Sequence, residues 1–416
     1  MNTTKERQSP QTLLAGDASQ STIQAVLPPL PGHTFKVATL NCWGLWLIGR
    51  RRESRFAAIA EHLNQARYDA VCLQEIFIES DWKRLCEACV NVLPYAYRWK
   101  SGVVGSGLAV FSRFPIERTA FHAFSLNGHA YALIHGDWMA AKGVAVARLR
   151  LPDASLLDLY CTHLHAGYGS GSQAYELHRL SQLVETRRFI EACSGDKIPF
   201  IVGADLNCEP SSELFESFAK HSALSMHLKP LKIMDSCKDP NLVTSNLGKS
   251  NAKRIDYLLY GSERLTCTSC SALENVFLSD HALLKATFHL VPTVVGHSPE
   301  FVTRQERAAL KEHFNSRLGT YLKVLGTRIF ALRFIALFMT LASIALFVLG
   351  IVMVMVPFGS DLGQATVISL LPLPVIIGLL TGLIAEFHLV PERKAIERLQ
   401  AEWKQWIQSE DQNQTA

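Results

Sequence analysis

Charged residues are scarce in this 416-residue sequence, at 19% against about 25% in an ordinary soluble protein, while hydrophobic residues make up 48%. This composition excludes a disordered, highly charged chain. Neither sign of charge dominates, because 41 Lys and Arg residues oppose 37 Asp and Glu residues. So small a positive excess argues against nucleic acid as the main partner.

The ten cysteines are spread thinly along the chain, and several lie inside apolar runs such as AVCLQE and LYCTHL. This distribution predicts buried free thiols in a reducing compartment. Cys86 and Cys89 together with Cys267 and Cys270 could form a four-thiolate zinc site. However, CEAC lies in a helical pattern and neither pair has a glycine-rich knuckle, so we do not expect zinc.

Residues 1–34 lack the apolar run of a signal peptide and are predicted to be a disordered tail. Between 35 and 292, strand-like runs alternate with a few helical ones, and several strands follow one another directly. This order favours a mixed-sheet α/β sandwich over a doubly wound parallel sheet. We therefore predict a catalytic domain over 35–292.

The hydrophobic surplus lies near the end of the sequence. Phe334–Phe358 provides 25 uncharged residues and Ala365–Ala385 provides 21, against the roughly 20 that span a bilayer. The second run contains Pro372 and Pro374, which bundled membrane helices tolerate. We predict a linker and basic juxtamembrane helix at 293–327, transmembrane helices at 328–358 and 365–386, and a cytoplasmic helix and tail at 387–416.

Lys and Arg flank both outer ends of this hairpin, whereas the turn carries Asp361 alone. By the positive-inside rule both flanks and the catalytic domain face the cytoplasm. We expect an integral protein of the endoplasmic reticulum, another internal membrane or the plasma membrane. The basic helix predicts anionic lipids as activators, and self-association of the hairpin into a homo-oligomer stays open.

Polar residues repeatedly follow apolar strand-like runs. A carboxylate and an amide at strand ends can hold a hard divalent cation, two histidines can act as base and acid, and a further carboxylate can orient an imidazole. This is the set of groups needed for metal-assisted phosphoester hydrolysis. The residues are Asn41, Glu75, His163, Asp205, Asn207, Asp256 and His281.

The segment HGDWMAAKG suggests a nucleotide phosphate loop at first sight. It lacks the GxxxxGK[ST] spacing, so ATP binding is not expected.

The ordered series LNCWG, QE, THLHA, GADLN, RIDY and SDH resembles the endonuclease/exonuclease/phosphatase superfamily. Within it, LNCWG, SGxxGSGLAVFS, the LNG and HGDW segments, THLHAGY and the terminal hairpin resemble the membrane-bound neutral sphingomyelinases. The resemblance implies a deoxyribonuclease-like four-layered α/β sandwich with a C-terminal two-helix transmembrane hairpin.

The resemblance also implies roles for the residues nearest the cation. Glu75 would ligate Mg²⁺ directly, with Mn²⁺ as a substitute, and Asn41 would act as a ligand or phosphate contact. His281 would be the general base, and Asp256 would fix its tautomer. Asp205 would position the attacking water.

Other residues would contact the substrate or regulate the site. Asn207 would donate to the phosphate oxygens and His163 would contact the phosphate or the leaving alkoxide. Asp137 and Lys142 would form an ion pair that competes with substrate or metal, while Lys142 as an exposed strand-start lysine is an equal alternative. For His165, a neighbouring position with only packing or hydrogen-bonding duties and a contact to the substrate are equal alternatives.

Together these roles predict a magnesium-dependent phospholipase C that hydrolyses sphingomyelin to ceramide and phosphocholine at a membrane. The same chemistry on lysophosphatidylcholine, a lyso ether lipid or an inositol phosphosphingolipid stays open, since headgroup choice depends on loops such as 95–107 and 166–172. A membrane-tethered nuclease and an inactive scaffold are further alternatives. The weak charge excess and the hairpin argue against the nuclease, and the complete set of site residues argues against the scaffold.

Overall fold

The structure is a computed structural model. It describes residues 33–45, 49–129, 132, 135–168, 175–195, 197–212, 214–215, 234–237, 239, 242–247, 252–262, 264–274, 277–291, 304–355, 369, 372–397 and 400. Most of the predicted N-terminal tail lies outside these ranges. Its last two residues, His33 and Thr34, belong to the first strand, so the prediction placed the tail's end too late.

Within the described ranges, twelve strands form two six-stranded mixed sheets. The first sheet has the order β11-β12-β1-β2-β4-β3 and the second β5-β6-β7-β8-β10-β9. The strands are β1 His33–Asn41, β2 Ala70–Gln74, β3 Tyr95–Arg98, β4 Ala109–Ser112, β5 Ile116–Ala123, β6 Gly143–Arg150, β7 Leu156–His163, β8 Phe200–Asp205, β9 Met234–Asp235, β10 Asp256–Gly261, β11 Leu265–Leu273 and β12 Leu283–Leu290.

The period of two along each strand divides the apolar residues between two cores. In β1, Val37 belongs to the core between the sheets, whereas Ala38 and Leu40 belong to the core between the first sheet and its helices. Both faces of β1 are therefore buried from Val37 to Asn41.

Helices cover the outer faces of both sheets. Residues of α1 (Arg52–Ala66) and α2 (Glu79–Cys89) join the core on the first sheet, and α4 (Glu176–Cys193) contacts β6 of the second sheet. The short helix α3 (Asp137–Ala140) follows β5. The helix–sheet–sheet–helix arrangement confirms the predicted four-layered sandwich.

Two cysteines differ from the sequence prediction. Cys237 and Cys270 form a disulfide with Cα atoms 5.2 Å apart, so the expectation of free thiols is wrong for this pair. The spacing of cysteines along a chain does not reveal which of them meet in the fold. Cys270 is consequently not available for zinc, and the other eight cysteines are free thiols.

The two apolar runs belong to a separate unit. The basic segment and the first run form one helix, α5 (Arg304–Met355), with no proline to interrupt it. The second run forms α6 (Pro372–Ile384) and a π-helical turn, Ala385–Leu389. Both helices are long and apolar enough to cross a membrane.

The two helices of this unit run antiparallel. Arg333 pairs through two hydrogen bonds with Glu386, and a Cβ added to Gly378 would lie 3.2 Å from the Cβ of Met339. The described helix α6 contains both Pro372 and Pro374.

Candidate active site

The site lies at one edge of both sheets, where two parallel strand pairs end. Asn41 ends β1 and Glu75 directly follows its parallel neighbour β2. In the second sheet, parallel strands β7 and β8 end in register at His163 and Asp205. Asp256 begins β10 opposite Asp205. Strand direction thus places Asn41 beside Glu75 in the first sheet and His163 beside Asp205 in the second, and the packing of the two sheets brings these pairs together.

Asn41 joins the two sheets. Its Nδ2 donates to Glu75 Oε1 at 3.0 Å and to Asp205 Oδ2 at 2.9 Å, while its Oδ1 accepts from the backbone N–H of Trp43 at 3.0 Å. One buried amide therefore holds two carboxylates from different parts of the chain around a single nitrogen.

Glu75 occupies a constrained position. Its φ of 62° lies in the left-handed region, which costs a residue with a side chain roughly 1 kcal/mol. Burial raises the pKa of its carboxyl to about 7, against the opposing effects of Asn41 and Lys142. Glu75 Oε2 is buried without a hydrogen-bond partner among the described residues. An unpartnered carboxylate oxygen beside a second carboxylate and an amide is a donor set that fits a hard divalent cation.

His281 and Asp256 form a buried hydrogen-bonded dyad. His281 Nδ1 lies 2.8 Å from Asp256 Oδ2, as predicted, which leaves Nε2 as the nitrogen available for proton transfer. Burial alone would lower the pKa of the ring, but Asp256, Asp205 and Asp280 raise it to about 10. Burial raises the pKa of Asp256 to about 6.

The same cluster includes Asp205. One ligand atom each from Asp205, Asp256 and His281 all lie within 4.8 Å of one another. Since Asn41 links Asp205 to Glu75, the base dyad and the carboxylate pair belong to one site. Side chains that lie as far apart in sequence as Asn41 and His281 therefore meet in one site.

Lys142 is buried rather than exposed at a strand start. Its Nζ lies 3.0 Å from Asp137 Oδ1, so the predicted ion pair is formed. The same nitrogen donates to Leu164 O at 2.9 Å and lies 3.0 Å from His163 Nε2. Burial would raise the pKa of Asp137, but Lys142 and the neighbouring imidazoles lower it, so this carboxylate is ionised.

His163 is neutral for two reasons. Burial lowers the pKa of its ring, and the charge of Lys142 lowers it further. Because the Lys142 ammonium can only donate, His163 Nε2 is the acceptor and the ring proton lies on Nδ1. His163 Nε2 also lies 3.3 Å from Asp205 Oδ2, a contact between two acceptors rather than a hydrogen bond, so His163 stands between the Asp137–Lys142 pair and Asp205.

Asn207 and His165 lie beside this network. Asn207 has a φ of 48° and its Nδ2 donates to Leu164 O at 3.0 Å. His165 has Nδ1 3.5 Å from Asp137 Oδ2 and stacks on Tyr175 with ring centroids 4.0 Å apart. These contacts agree with the packing and hydrogen-bonding alternative for His165.

Several supporting residues were not predicted. Arg55 of α1 is buried and donates to Cys42 O at 2.6 Å and to Leu278 O at 3.3 Å, so it ties the loop after Asn41 to the loop before His281. No pattern in the α1 sequence singles out this arginine. The others are Ser279, whose Oγ donates to Asn41 O; Tyr168, whose hydroxyl donates to Asp137; and Thr244, which accepts from the Asp256 N–H.

The sequence profile of the endonuclease/exonuclease/phosphatase family matches residues 38–281, which include each strand-end residue of the site. The chain belongs to this family. The resemblance found in the sequence motifs is thereby confirmed. The match begins within β1, before Asn41, and ends at His281, so it covers all the residues of the site.

Two curated relatives connect the chain to sphingolipid enzymes. It is 32% identical over 286 residues to sphingomyelin phosphodiesterase 2 of Homo sapiens, covering 64% of this chain and 66% of that protein. It is 37% identical over 178 residues to the inositol phosphosphingolipids phospholipase C of Schizosaccharomyces pombe, covering 43% of this chain and 42% of that protein. The matched regions thus span less than two thirds of either relative.

A solved structure of the family agrees on the fold. An endonuclease/exonuclease/phosphatase from Beutenbergia cavernae superimposes with a TM-score of 0.50 at 16% sequence identity, over 65% of this chain and 75% of that one. The two-sheet sandwich of this chain is therefore the fold of its family.

Proposed function

We propose that this protein is a divalent-cation-dependent phospholipase C that hydrolyses sphingomyelin to ceramide and phosphocholine. The observation that carries the proposal is the position of Asn41 between Glu75 and Asp205, beside the His281–Asp256 dyad. This arrangement places a cation-binding carboxylate and a general base in one site. Similarity to sphingomyelin phosphodiesterase 2 supports the choice of lipid.

Glu75 and Asn41 are the residues that would hold Mg²⁺, with Mn²⁺ as a substitute. The unpartnered Glu75 Oε2 and the second lone pair of Asn41 Oδ1 supply oxygen ligands that both ions accept. The chemistry that a bound ion supplies is neutralisation of the phosphate charge, together with a positive field that lowers the pKa of the His281 ring.

His281 acts as the general base through Nε2, because Asp256 occupies its Nδ1. Asp205 orients a water molecule toward phosphorus. His281 takes a proton from this water, the water oxygen forms a bond to phosphorus, and the bond between phosphorus and the ceramide oxygen breaks. The ceramide oxygen takes a proton from solvent, and His281 returns its proton to solvent. Attack occurs in line with the leaving oxygen, so the water and the ceramide lie on opposite sides of the phosphate.

His163 and Asn207 act on the other groups of the substrate. The neutral ring of His163 carries its proton on Nδ1 and stabilises the departing ceramide alkoxide. Asn207 Nδ2 gives up its hydrogen bond to Leu164 O and donates instead to a phosphate oxygen as negative charge develops there. The Asp137–Lys142 pair sets the charge beside His163 and therefore switches the site between competent and incompetent states.

The two apolar helices place this chemistry at a lipid surface. Ser316–Val352 and Pro372–Glu397 contain candidate spans by length and composition. The basic flanks of the hairpin favour a cytoplasmic catalytic domain and an attraction to anionic lipids. An enzyme that is held in the bilayer meets its lipid substrate without leaving the membrane.

The second candidate substrate is an inositol phosphosphingolipid. It is favoured by the 37% identity to an inositol phosphosphingolipids phospholipase C. The scissile bond is again the phosphodiester next to ceramide, so the same residues would carry out the reaction.

Purified full-length protein in lipid nanodiscs tests the proposal. With Mg²⁺ we expect phosphocholine release from sphingomyelin, no release after chelation, and no cleavage of supercoiled plasmid DNA. Faster inositol phosphate release from an inositol phosphosphingolipid would favour the second candidate. Plasmid cleavage without lipid hydrolysis would contradict both.

A further inference from the structure

The loop between β3 and β4, residues Ser101–Gly105, displays apolar side chains to solvent. Val103 is 81% exposed and Val104 is 41% exposed. Within the described part of the sandwich, few other large apolar side chains have comparable exposure. The others are Leu45, Val90, Tyr97 and Phe277.

Most of these exposed apolar side chains lie at the sheet edge that carries the site. β3 ends and the antiparallel β4 begins at the sheet edge that carries the site, so Val103 and Val104 lie on that edge. Leu45 follows β1 and Phe277 precedes β12, which place them on the same edge. Val90, between α2 and β3, lies toward the opposite edge. Exposed apolar surface is thus concentrated around the site.

The backbone of the loop is held in place. The N–H groups of Val103 and Val104 both donate to Met139 O, at 2.9 and 3.3 Å, and Ser101 Oγ donates to Ala141 O at 2.9 Å. Gly102 has a φ of 53°, and a Cβ there would lie 2.6 Å from Met139 O. Val103 and Val104 therefore lie on a turn whose backbone is fixed by hydrogen bonds.

This anchorage connects the loop to the Asp137–Lys142 pair. Met139 and Ala141 lie between those two residues in the chain, on α3 and the turn that follows it. The loop is therefore hydrogen-bonded to the backbone segment that connects Asp137 to Lys142.

The charges near the loop suit a membrane surface. Lys100 directly precedes the loop and is exposed, and so are Arg50 and Arg51 in the segment after β1 on the same edge. Apolar side chains at a tip with cations beside them are the pattern of segments that enter the interface of an anionic bilayer.

We propose that Ser101–Gly105 inserts Val103 and Val104 into the interface of the bilayer that contains the substrate, and so holds the site over the lipid phosphate. The inference depends on the proposed function, because it assumes a lipid substrate. It adds a membrane contact that is separate from the two apolar helices and lies beside the site itself.

The full-length protein with both Val103→Asp and Val104→Asp tests this contact. Hydrolysis is measured on sphingomyelin in nanodiscs that contain phosphatidylserine, and on a water-soluble aryl ester of phosphocholine. We expect the ratio of bilayer to soluble activity to fall at least about tenfold, since burying one valine changes an equilibrium by roughly that factor. Val90→Asp is the matched control, at an exposed valine toward the opposite edge, and should keep the wild-type ratio.

The outcomes separate the two proposals. A ratio that stays at the wild-type value in the double variant overturns the membrane contact, even where both activities decrease together. A wild-type protein that cleaves neither substrate overturns the proposed function instead. As an independent readout, Val103→Trp should gain fluorescence quenching by brominated lipids and Val90→Trp should not. Equal quenching of the two tryptophan variants would also overturn the contact.

Discussion

Lys142 Nζ lies 3.0 Å from His163 Nε2, a contact that fixes both the charge and the tautomer of the histidine. The same ammonium group pairs with Asp137. The three side chains form one hydrogen-bonded series, and removal of any member changes the electrostatic environment of the other two.

A double-mutant cycle on Lys142→Met and Asp137→Asn should show strong coupling. Each single variant is expected to lower kcat/KM about 100-fold, because each removes a charged hydrogen-bond partner from a catalytic site. The double variant should be little worse than either single one. Arg150→Met is a suitable control, since Arg150 is half exposed at the opposite end of β6 and pairs with Glu117. Fully additive losses would contradict the pairing.

Asp256→Asn should impair the orientation of the His281 ring without impairing folding. The asparagine retains the size of the side chain but does not hold the His281 ring in the required tautomer, so kcat should fall about 10³- to 10⁴-fold. The midpoint of thermal unfolding should change little. Retention of wild-type kcat would show that Asp256 does not orient the base.

The contribution of His165 to the stability of the sandwich should be lost as the pH falls from about 6.5 to about 4. Burial lowers the pKa of His165 to about 4, whereas an unfolded histidine titrates near 6.5. In this window the unfolded chain binds a proton that the folded chain does not, so unfolding becomes more favourable as the pH falls. The shift corresponds to a loss of about 3 kcal/mol.

His165→Phe provides the measurement. Phenylalanine keeps an aromatic ring against Tyr175 but does not titrate. Lowering the pH from 7 to 5 should decrease the unfolding midpoint of the wild type relative to that of this variant, with both followed by tryptophan fluorescence in detergent. An identical pH dependence would mean that His165 does not contribute.

The strand-end residues of the site could be predicted because their positions depend on strand direction. Parallel strands end at the same edge, so Asn41 lies beside Glu75 and His163 beside Asp205. That the two pairs meet was implied by the family resemblance. The Asp256–His281 bond followed from the chemistry expected of a base and its orienting carboxylate.

Other features depend on contacts that spacing does not encode. Arg55 reaches Leu278 across 223 positions of sequence, and nothing near Arg55 indicates that distance. Asn41 was expected to face a cation or a phosphate, but its amide nitrogen bonds to both carboxylates because the sheets pack face to face. The Cys237–Cys270 pairing was missed for the same reason.

Glu75→Gln tests the central claim most directly, with phosphocholine release from sphingomyelin measured against Mg²⁺ concentration. Glutamine has nearly the same shape and removes a buried charge, so the variant should fold and unfold at a temperature no lower than that of the wild type. Wild-type protein should hydrolyse sphingomyelin only when Mg²⁺ is present, and the variant should be inactive at every concentration. Magnesium-dependent hydrolysis by Glu75→Gln at the wild-type rate would contradict the account.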